Sequence, residues 1–179
     1  TYNLQIKAIR KFPQEDRFRT AYALTNLALA SSLSNRPNIS PADRENITQL
    51  IQQSIREAKI ATTLNPRRTQ NWETLATIYR NLINVAQGAQ DWTIAALVQA
   101  ITTDPQNPRL RLELGGVYYG LKDFDQAIRF FDQAIALKPD WANAHYNLSA
   151  AYRQQGDLDK AIAAMILVLQ LLDPQAPDF

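Results

Sequence analysis

The chain has 179 residues, of which 46% are hydrophobic and 20% are charged, a composition typical of a folded protein. Its net charge of +2 argues against a dedicated nucleic-acid binder, and the absence of cysteine excludes disulfides and thiolate metal sites. The longest uninterrupted apolar run, 161–169, is nine residues long, whereas a membrane span needs about 20. The sequence therefore predicts no membrane-inserted segment in this chain.

Charge is distributed unevenly along the chain. Residues 1–68 hold 11 basic and 5 acidic residues, a net charge of +6, and residues 69–179 have a net charge of −4. Two interpretations of the basic half stay open. It is either ordinary variation of a solvated surface or a face toward an acidic neighbour or an anionic membrane.

One spacing recurs along the chain. An alanine precedes a proline by five residues four times, and a looser fifth copy runs from Val168 to Pro174. The four regular pairs are Ala8–Pro13, Ala61–Pro66, Ala100–Pro105 and Ala134–Pro139. Successive prolines are 53, 39, 34 and 35 residues apart. A period near 34 predicts an all-α array of stacked helical hairpins.

The N-terminal part of the chain, 1–66, departs from this period. Residues 1–13 are expected to be the second half of a repeat, and residues 14–66 one long atypical repeat. Apolar spacing within the long repeat predicts a helix over roughly 15–33, a polar loop, and a second helix over 41–64. Ser40 before a proline, with an acid in the first turn, marks the start of that second helix.

Three regular hairpins and a short tail follow, over residues 67–105, 106–139, 140–174 and 175–179. In the second hairpin, Asn107 and Asp123 are expected to cap the two helices through their side chains. In the third hairpin, Ile162, Met165 and Leu169 match apolar residues of the helix one repeat earlier. We therefore expect these three side chains in the core.

These hairpins carry residues that resemble the tetratricopeptide repeat family. The first helices match at Trp72-x-x-Leu75-Ala76-x-x-Tyr79, at Leu114-Gly115-x-x-Tyr118 and at Leu148-Ser149-x-x-Tyr152. The second helix matches at Ala127, Phe131, Ala134 and Pro139. The resemblance covers 67–174. It implies an α-solenoid, a right-handed superhelix of antiparallel hairpins with about four repeats and an N-terminal half repeat, in a single domain over 1–179.

A second resemblance concerns the run from Trp72 to Trp92, with its turn at 85–89. It is similar to the C-terminal tetratricopeptide regions of bacterial membrane proteins of the O-antigen ligase or polymerase type. It implies an accessory domain of a membrane-embedded glycan ligase or polymerase whose catalytic part is absent from this chain. Because the chain begins at Thr1 in mid-pattern, we expect a piece of a longer protein. We expect it to be soluble and cytoplasmic or, under this alternative, tethered by upstream segments.

No arrangement of residues in the sequence points to catalysis, a metal or a cofactor. His145 is the single histidine, so a multi-histidine metal site has no second imidazole. Gly115, Gly116 and Gly120 follow no predicted strand, unlike the glycines of a nucleotide-binding loop. Gly116 and Gly120 are either tolerated or leave bare a stretch of helix that a ligand approaches. The sequence predicts a protein that is not an enzyme and has no cofactor.

The family resemblance implies a concave groove, lined by the first helices, that holds a partner peptide or helix. The chain would then be a non-catalytic protein-binding scaffold. The groove residues expected from the register are Tyr22, Asn26, Gln70, Glu73, Thr77, Arg80, Arg109, Glu113, Tyr119, Asn143, Tyr146, Asn147 and Arg153. The acids Glu73 and Glu113 argue against a nucleic-acid partner. For each residue the alternative is ordinary solvated helix surface.

The last helix is less polar than the helix one repeat earlier. Four polar residues of the earlier helix are replaced by Ala163, Ile166, Leu167 and Leu172. A terminal repeat is expected to become more polar, because no further hairpin covers it. The apolar replacement therefore predicts an association surface, most simply for a homodimer. The competing expectation is that residues 173–179 fold back over it as a lid.

Overall fold

A computed structural model describes residues 2–172 of the chain. Within this range the protein has nine α-helices and no strand. They are α1 (Tyr2–Lys11), α2 (Asp16–Ser34), α3 (Pro41–Leu64), α4 (Thr69–Arg80), α5 (Ala89–Thr103), α6 (Pro108–Gly120), α7 (Phe124–Leu137), α8 (Ala142–Gln155) and α9 (Leu158–Leu172). The all-α prediction is confirmed, and consecutive helices form the expected hairpins.

The helices fall into two compact units, Thr1–Thr103 and Asp104–Phe179. The expectation of a single domain over 1–179 stays a prediction. The first unit holds α1 to α5 and the second holds α6 to α9. The repeat boundaries stay predictions, and Pro174, which closes the last repeat, lies outside the described residues.

In the first unit, the long hairpin of α2 and α3 contacts α4, and α1 packs on α2. The start of α3 has the predicted chemistry. The Ser40 hydroxyl accepts a hydrogen bond from the Asp43 amide at 3.1 Å, and the Asp43 carboxylate accepts one from the Ser40 amide at 3.1 Å. This reciprocal capping satisfies amides that the first helical turn leaves without partners.

Buried polar side chains join the helices of the first unit. Arg19 of α2 forms an ion pair with Glu57 of α3, with 2.7 Å between Nη1 and Oε2. The Asn71 side-chain amide, on α4, donates to Asp16 Oδ2 at 2.7 Å and to the Ala61 carbonyl at 2.9 Å. Because a buried charge is costly unless it is paired, these contacts favour one packing arrangement of α2, α3 and α4.

The second unit consists of two hairpins, α6–α7 and α8–α9, and α8 contacts both helices of the first hairpin. The predicted caps are confirmed. The Asn107 side chain accepts from the Arg109 amide at 3.1 Å, and the Asp123 side chain accepts from the Gln126 amide at 3.1 Å. Local capping chemistry therefore sets the starts of α6 and α7.

The core of the second unit is apolar. Its buried cluster is Ala127, Phe131, Leu148 and Ala151, so α8 closes the open side of the α6–α7 hairpin. A Cβ atom added at Gly115 would lie 2.6 Å from ring carbons of Phe131. The absence of a side chain at this position is therefore what lets α6 and α7 approach around the Phe131 ring.

The two hairpins of the second unit turn in the same way. Lys122 follows α6 with φ of 63°, and Gly156, at the equivalent position of the next hairpin, follows α8 with φ of 93°. The next amide bonds back into the helix at 3.0 Å in both turns, Asp123 to the Tyr118 carbonyl and Asp157 to the Tyr152 carbonyl. The chain thus adopts the left-handed conformation at this turn with a lysine in one copy and a glycine in the other.

The prediction that Ile162 and Leu169 lie in the core is wrong. Ile162 is 59% exposed and Leu169 is 45% exposed, while Met165 is half-buried. Their counterparts one repeat earlier, Ile128 and Ile135, are packed against the cluster that α8 completes. No helix follows α9 in the described part of the chain, so the equivalent face of α9 stays open.

Candidate protein-binding surface

In the first unit, three of the expected groove residues are buried and are not available to a partner. Tyr22 and Asn26 are covered because α1 lies on this face of α2. The Tyr22 hydroxyl donates to the Tyr2 hydroxyl at 2.8 Å, and the Tyr2 hydroxyl donates to Asn26 Oδ1 at 3.2 Å. Burial raises the pKa of Tyr2 to about 12. Glu73 of α4 is buried as well.

The remaining expected residues of the first unit, Gln70, Thr77 and Arg80, reach the surface of α4, with Thr77 half-buried. They form a short strip on one helix. Arg80 and the buried Glu73 each interact with other groups of the protein. The first unit therefore offers less of the expected groove than the sequence indicates.

In the second unit, all seven expected residues reach the surface. Arg109, Asn143, Tyr146 and Arg153 are exposed, and Glu113, Tyr119 and Asn147 are half-buried. They lie on α6 and α8, which contact each other. Six of them are at equivalent positions on the two helices, Arg109, Glu113 and Tyr119 on α6 with Asn143, Asn147 and Arg153 on α8, because each helix is the first of its hairpin. The structure thus brings this part of the predicted groove together within one unit.

Hydrogen bonds hold several of these side chains in place. Arg109 Nη1 lies 2.6 Å from Glu113 Oε1, one helical turn along α6. The Asn147 amide donates to the Asn143 carbonyl at 2.7 Å and to Asn143 Oδ1 at 3.1 Å on α8. Tyr119 packs edge-to-face on Phe124, with ring centroids 5.6 Å apart. The strip presents amides, a guanidinium and aromatic rings, which suit a peptide's polar backbone and apolar side chains.

Two glycines of α6 stay bare on its surface. A Cβ atom added at Gly116 or Gly120 would meet no atom within 4 Å, unlike one added at Gly115. Gly116 is exposed and lies on the same side of α6 as Glu113 and Tyr119. Packing explains Gly115 and does not explain Gly116 or Gly120.

A hollow of about 210 Å³ lies between α8 and α9. Its walls include Tyr146 and Arg153 of α8 and Leu158, Ile162 and Met165 of α9. The sequence analysis assigned the first two to the groove and Ile162 and Met165 to the core, and it missed the hollow that they form together. The signal that could have found it is the period of the repeats, since the face of α9 that lines the hollow is the one that α7 turns toward α8, and no helix of residues 2–172 follows α9.

The four residues of α9 predicted to contact a second copy are partly accessible. Ala163, Leu167 and Leu172 are exposed, Leu172 to 71%, and Ile166 is half-buried. The competing expectation of a lid over 173–179 lies outside the described residues.

His145 has a packing role in the structure. Its Nε2 lies 2.8 Å from the Pro139 carbonyl oxygen, which only accepts hydrogen bonds, so this nitrogen donates. The Trp72 indole donates to the Pro66 carbonyl at 2.8 Å in the same way, also six residues back. Within residues 2–172 no group of three or more His, Cys, Asp or Glu side chains could hold a metal ion. No helix in the described range is long and apolar enough to cross a membrane.

Comparison with known proteins agrees with this geometry. Residues 108–173 match the model of the tetratricopeptide repeat family. A 58-residue segment is 30% identical to the probable UDP-N-acetylglucosamine–peptide N-acetylglucosaminyltransferase SEC of Arabidopsis thaliana. That segment is 32% of this chain and only 6% of the length of that protein.

Two solved structures share the fold over nearly the whole chain. A crystal structure of MamA has a TM-score of 0.74 at 16% identity, covering 99% of this chain and 86% of that one. A thermophilic tetratricopeptide repeat protein of Thermus thermophilus has a TM-score of 0.65 at 23% identity, covering 97% of this chain and 82% of that one. The chain therefore has the tetratricopeptide repeat fold, and its residues 108–173 match the family itself.

Proposed function

We propose that the chain is a non-catalytic scaffold that binds a partner peptide or helix through the first helices of its second unit, α6 and α8. The observation that carries this proposal is the strip of seven accessible residues on these two contacting helices, six of them at equivalent positions. The tetratricopeptide repeat fold supports it, because stacked hairpins present extended surfaces that suit protein partners.

The strip combines features that favour peptide binding. The Asn147 side-chain amide donates to the backbone carbonyl and to Oδ1 of Asn143, so both side chains are already oriented, which lowers the entropy lost on binding. Tyr146 presents an exposed ring, and aromatic residues are enriched in protein interfaces. Gly116 leaves the α6 backbone accessible between the side chains of the strip.

A peptide selection with matched variants tests the proposal. Peptides selected from a displayed library against the intact chain are titrated into the triple variant Arg109→Ala, Asn143→Ala and Asn147→Ala. We expect binding at least about tenfold weaker, because truncating central contacts of an interface costs more than about 1 kcal/mol. The control variant Gln133→Ala with Lys138→Ala changes exposed residues elsewhere on the second unit and should bind normally. Equal affinity for both variants would contradict the proposal.

We also propose that the chain self-associates as a homodimer through Ala163, Ile166, Leu167 and Leu172. The support is the exposure of Leu167 and Leu172 on α9, since removing exposed apolar side chains from water favours association. Sedimentation equilibrium of the parent chain and of Ile166→Lys with Leu167→Glu is the test. A parent chain that is monomeric at ~100 μM contradicts it, because association entropy would then outweigh the burial.

The alternative is that the chain is an accessory domain of a membrane-embedded glycan ligase or polymerase. Its support is the Trp72 to Trp92 run, which covers most of α4, the following turn and the start of α5, with the Tyr79 and Trp92 rings 5.2 Å apart. Sequencing the gene upstream of Thr1 tests it. Roughly ten hydrophobic spans of about 20 residues each would favour it, and a hydrophilic upstream sequence would contradict it.

A further inference from the structure

The hollow between α8 and α9 has a covered counterpart within the same unit. Each residue of its wall has a counterpart at the equivalent position of the α6–α7 hairpin. The counterparts of Tyr146, Arg153, Leu158, Ile162 and Met165 are Leu112, Tyr119, Phe124, Ile128 and Phe131. In the α6–α7 hairpin this side is closed by α8, whose Leu148 and Ala151 complete the buried cluster and whose Tyr152 packs against it.

We propose that the hollow between α8 and α9 binds an amphipathic helix of a partner protein whose contact residues repeat those of α8. This inference rests on the proposed scaffold function and names the chemistry of one partner. The occupant is defined by the α7–α8 contact, because α9 offers the same surface that α7 offers to α8.

The exposed side chains of α9 support a helical occupant. Phe124 and Ile128 in the covered hairpin are half-buried, whereas their counterparts in the open one, Leu158 and Ile162, are each more than half exposed. The open side keeps large apolar residues at these positions, although solvent would favour polar ones. Covering Leu158 and Ile162 removes apolar surface from water, which drives association.

Charge differences between the two hairpins specify the partner further. Arg153 stands where the covered hairpin has Tyr119, so the partner helix should bring an acidic residue to that end. Asp159 stands where Asp125 accepts a hydrogen bond from the Gln155 amide of α8. The partner should therefore carry an amide or amine donor seven residues after its counterpart of Leu148.

A third difference concerns the middle of α9. Asp132 of α7 interacts electrostatically with His145 of α8, and Ile166 replaces that acid in α9. The partner should accordingly place an apolar residue where α8 has His145, and it would then compete with a second copy of the chain for Ile166. We number the partner helix from i, its counterpart of His145. The recognised pattern then has apolar residues at i, i+3 and i+7, a small residue at i+6 and a hydrogen-bond donor at i+10. It also has the acidic residue expected opposite Arg153.

A peptide made from the chain itself tests this proposal. The probe is a fluorescent, lactam-stapled peptide of residues 140–157 with His145→Leu, acetylated and amidated, whose helicity is checked by circular dichroism. We expect saturable binding to the intact chain at micromolar concentration. The host variant Ile162→Glu, or Leu158→Glu as a second variant, should bind at least about tenfold more weakly. Both side chains are exposed, so these variants should fold.

Matched controls make the result specific. The host variant Val98→Glu changes an exposed apolar residue of α5, in the first unit and outside the hollow, and should bind the probe as the parent does. A probe with an additional Leu148→Glu should not bind. No binding by the helical probe at ~1 mM, or equal weakening by Val98→Glu, would overturn the proposal. It is also overturned if sedimentation shows a parent dimer that Ile162→Glu dissociates, because a second copy then fills the hollow.

The same experiment separates this proposal from the proposed function. The triple variant Arg109→Ala, Asn143→Ala and Asn147→Ala leaves the walls of the hollow unchanged and should keep its affinity for the probe. If the probe fails to bind while library-selected peptides still require the triple-variant residues, this inference is wrong and the scaffold function stands.

Discussion

The hairpins α6–α7 and α8–α9 are two copies of one design with different packing solutions. In the first, Gly115 leaves room for the Phe131 ring. In the second, the equivalent residues are Ser149 and Met165, and the Ser149 hydroxyl donates to the Ala161 carbonyl at 2.7 Å. A larger residue on the first helix is thus matched by a slimmer one on the second. The comparison teaches that close packing of the two helices in each hairpin depends on the pair of facing residues and not on either residue alone.

The largest expected effect on stability comes from placing the serine of the Ser149–Met165 pair into the other hairpin without its methionine. Gly115→Ser places a side chain where a Cβ atom would lie 2.6 Å from Phe131, and overpacking of this kind costs about 1–3 kcal/mol. Adding Phe131→Met restores the Ser–Met pair of the other hairpin and should recover part of the loss. Urea unfolding of both variants measures the coupling. A double variant no more stable than Gly115→Ser would break the comparison.

An exchange at the turns should give effects of opposite sign. Gly156→Lys forces a lysine into the left-handed region and should lower the free energy of unfolding by about 1 kcal/mol. Lys122→Gly relieves the same strain, but glycine also gains entropy in the unfolded chain, so the rise should stay below about 1 kcal/mol. Thermal or urea unfolding of the two single variants checks the signs. Two changes of the same sign would show that the turns are not equivalent.

Filling the bare position on α6 should stabilise the chain. Gly116→Ala adds a Cβ that meets no atom within 4 Å, and alanine is favoured over glycine in a helix by about 0.5–1 kcal/mol. Denaturant unfolding should show that rise. If the partner approaches this bare backbone, the same variant should bind library-selected peptides more weakly. Gly120→Ala, at the end of the helix, serves as the control for binding.

The smallest expected effect concerns the acid on α7 that α9 lacks. Burial raises the pKa of Asp132, although its interaction with His145 acts in the opposite direction. Because the pKa is higher in the folded state, the charged form is disfavoured there, and the carboxyl group's contribution to stability is lost as the pH rises through the folded pKa. Asp132→Asn should therefore raise stability at pH 7 by a few tenths of a kcal/mol and have no such effect at pH 3. A constant difference between these pH values would contradict this.

Sequence reasoning located the helices well where local chemistry determines them. Asn107, Asp123 and the Ser40–Pro41 pair mark helix starts through groups within three residues of one another, so no distant contact is needed to recognise them. The register also predicted which residues of α6 and α8 are accessible, because both helices belong to the regular repeats.

The errors arose where burial depends on a neighbouring helix. Ile162 and Leu169 carry the pattern of core residues, but no helix among residues 2–172 follows α9 as α8 follows α7, where Ile128 and Ile135 pack against the buried cluster. Asn26 was placed in the groove by analogy with the regular repeats. In the irregular first unit, α1 covers this face through Tyr2, a contact that no repeat period predicts.

The order of helix contacts in the second unit has a consequence for how fast it folds. Among its described residues, contacting helices are either consecutive or separated by one helix. The loops that must close before native contacts form are therefore short. Helical proteins with such local contacts fold in microseconds to milliseconds, so we expect this unit to fold on that timescale. It should also gain structure hairpin by hairpin as the chain leaves the ribosome, since α6 and α7 can meet before α8 and α9 have been synthesised.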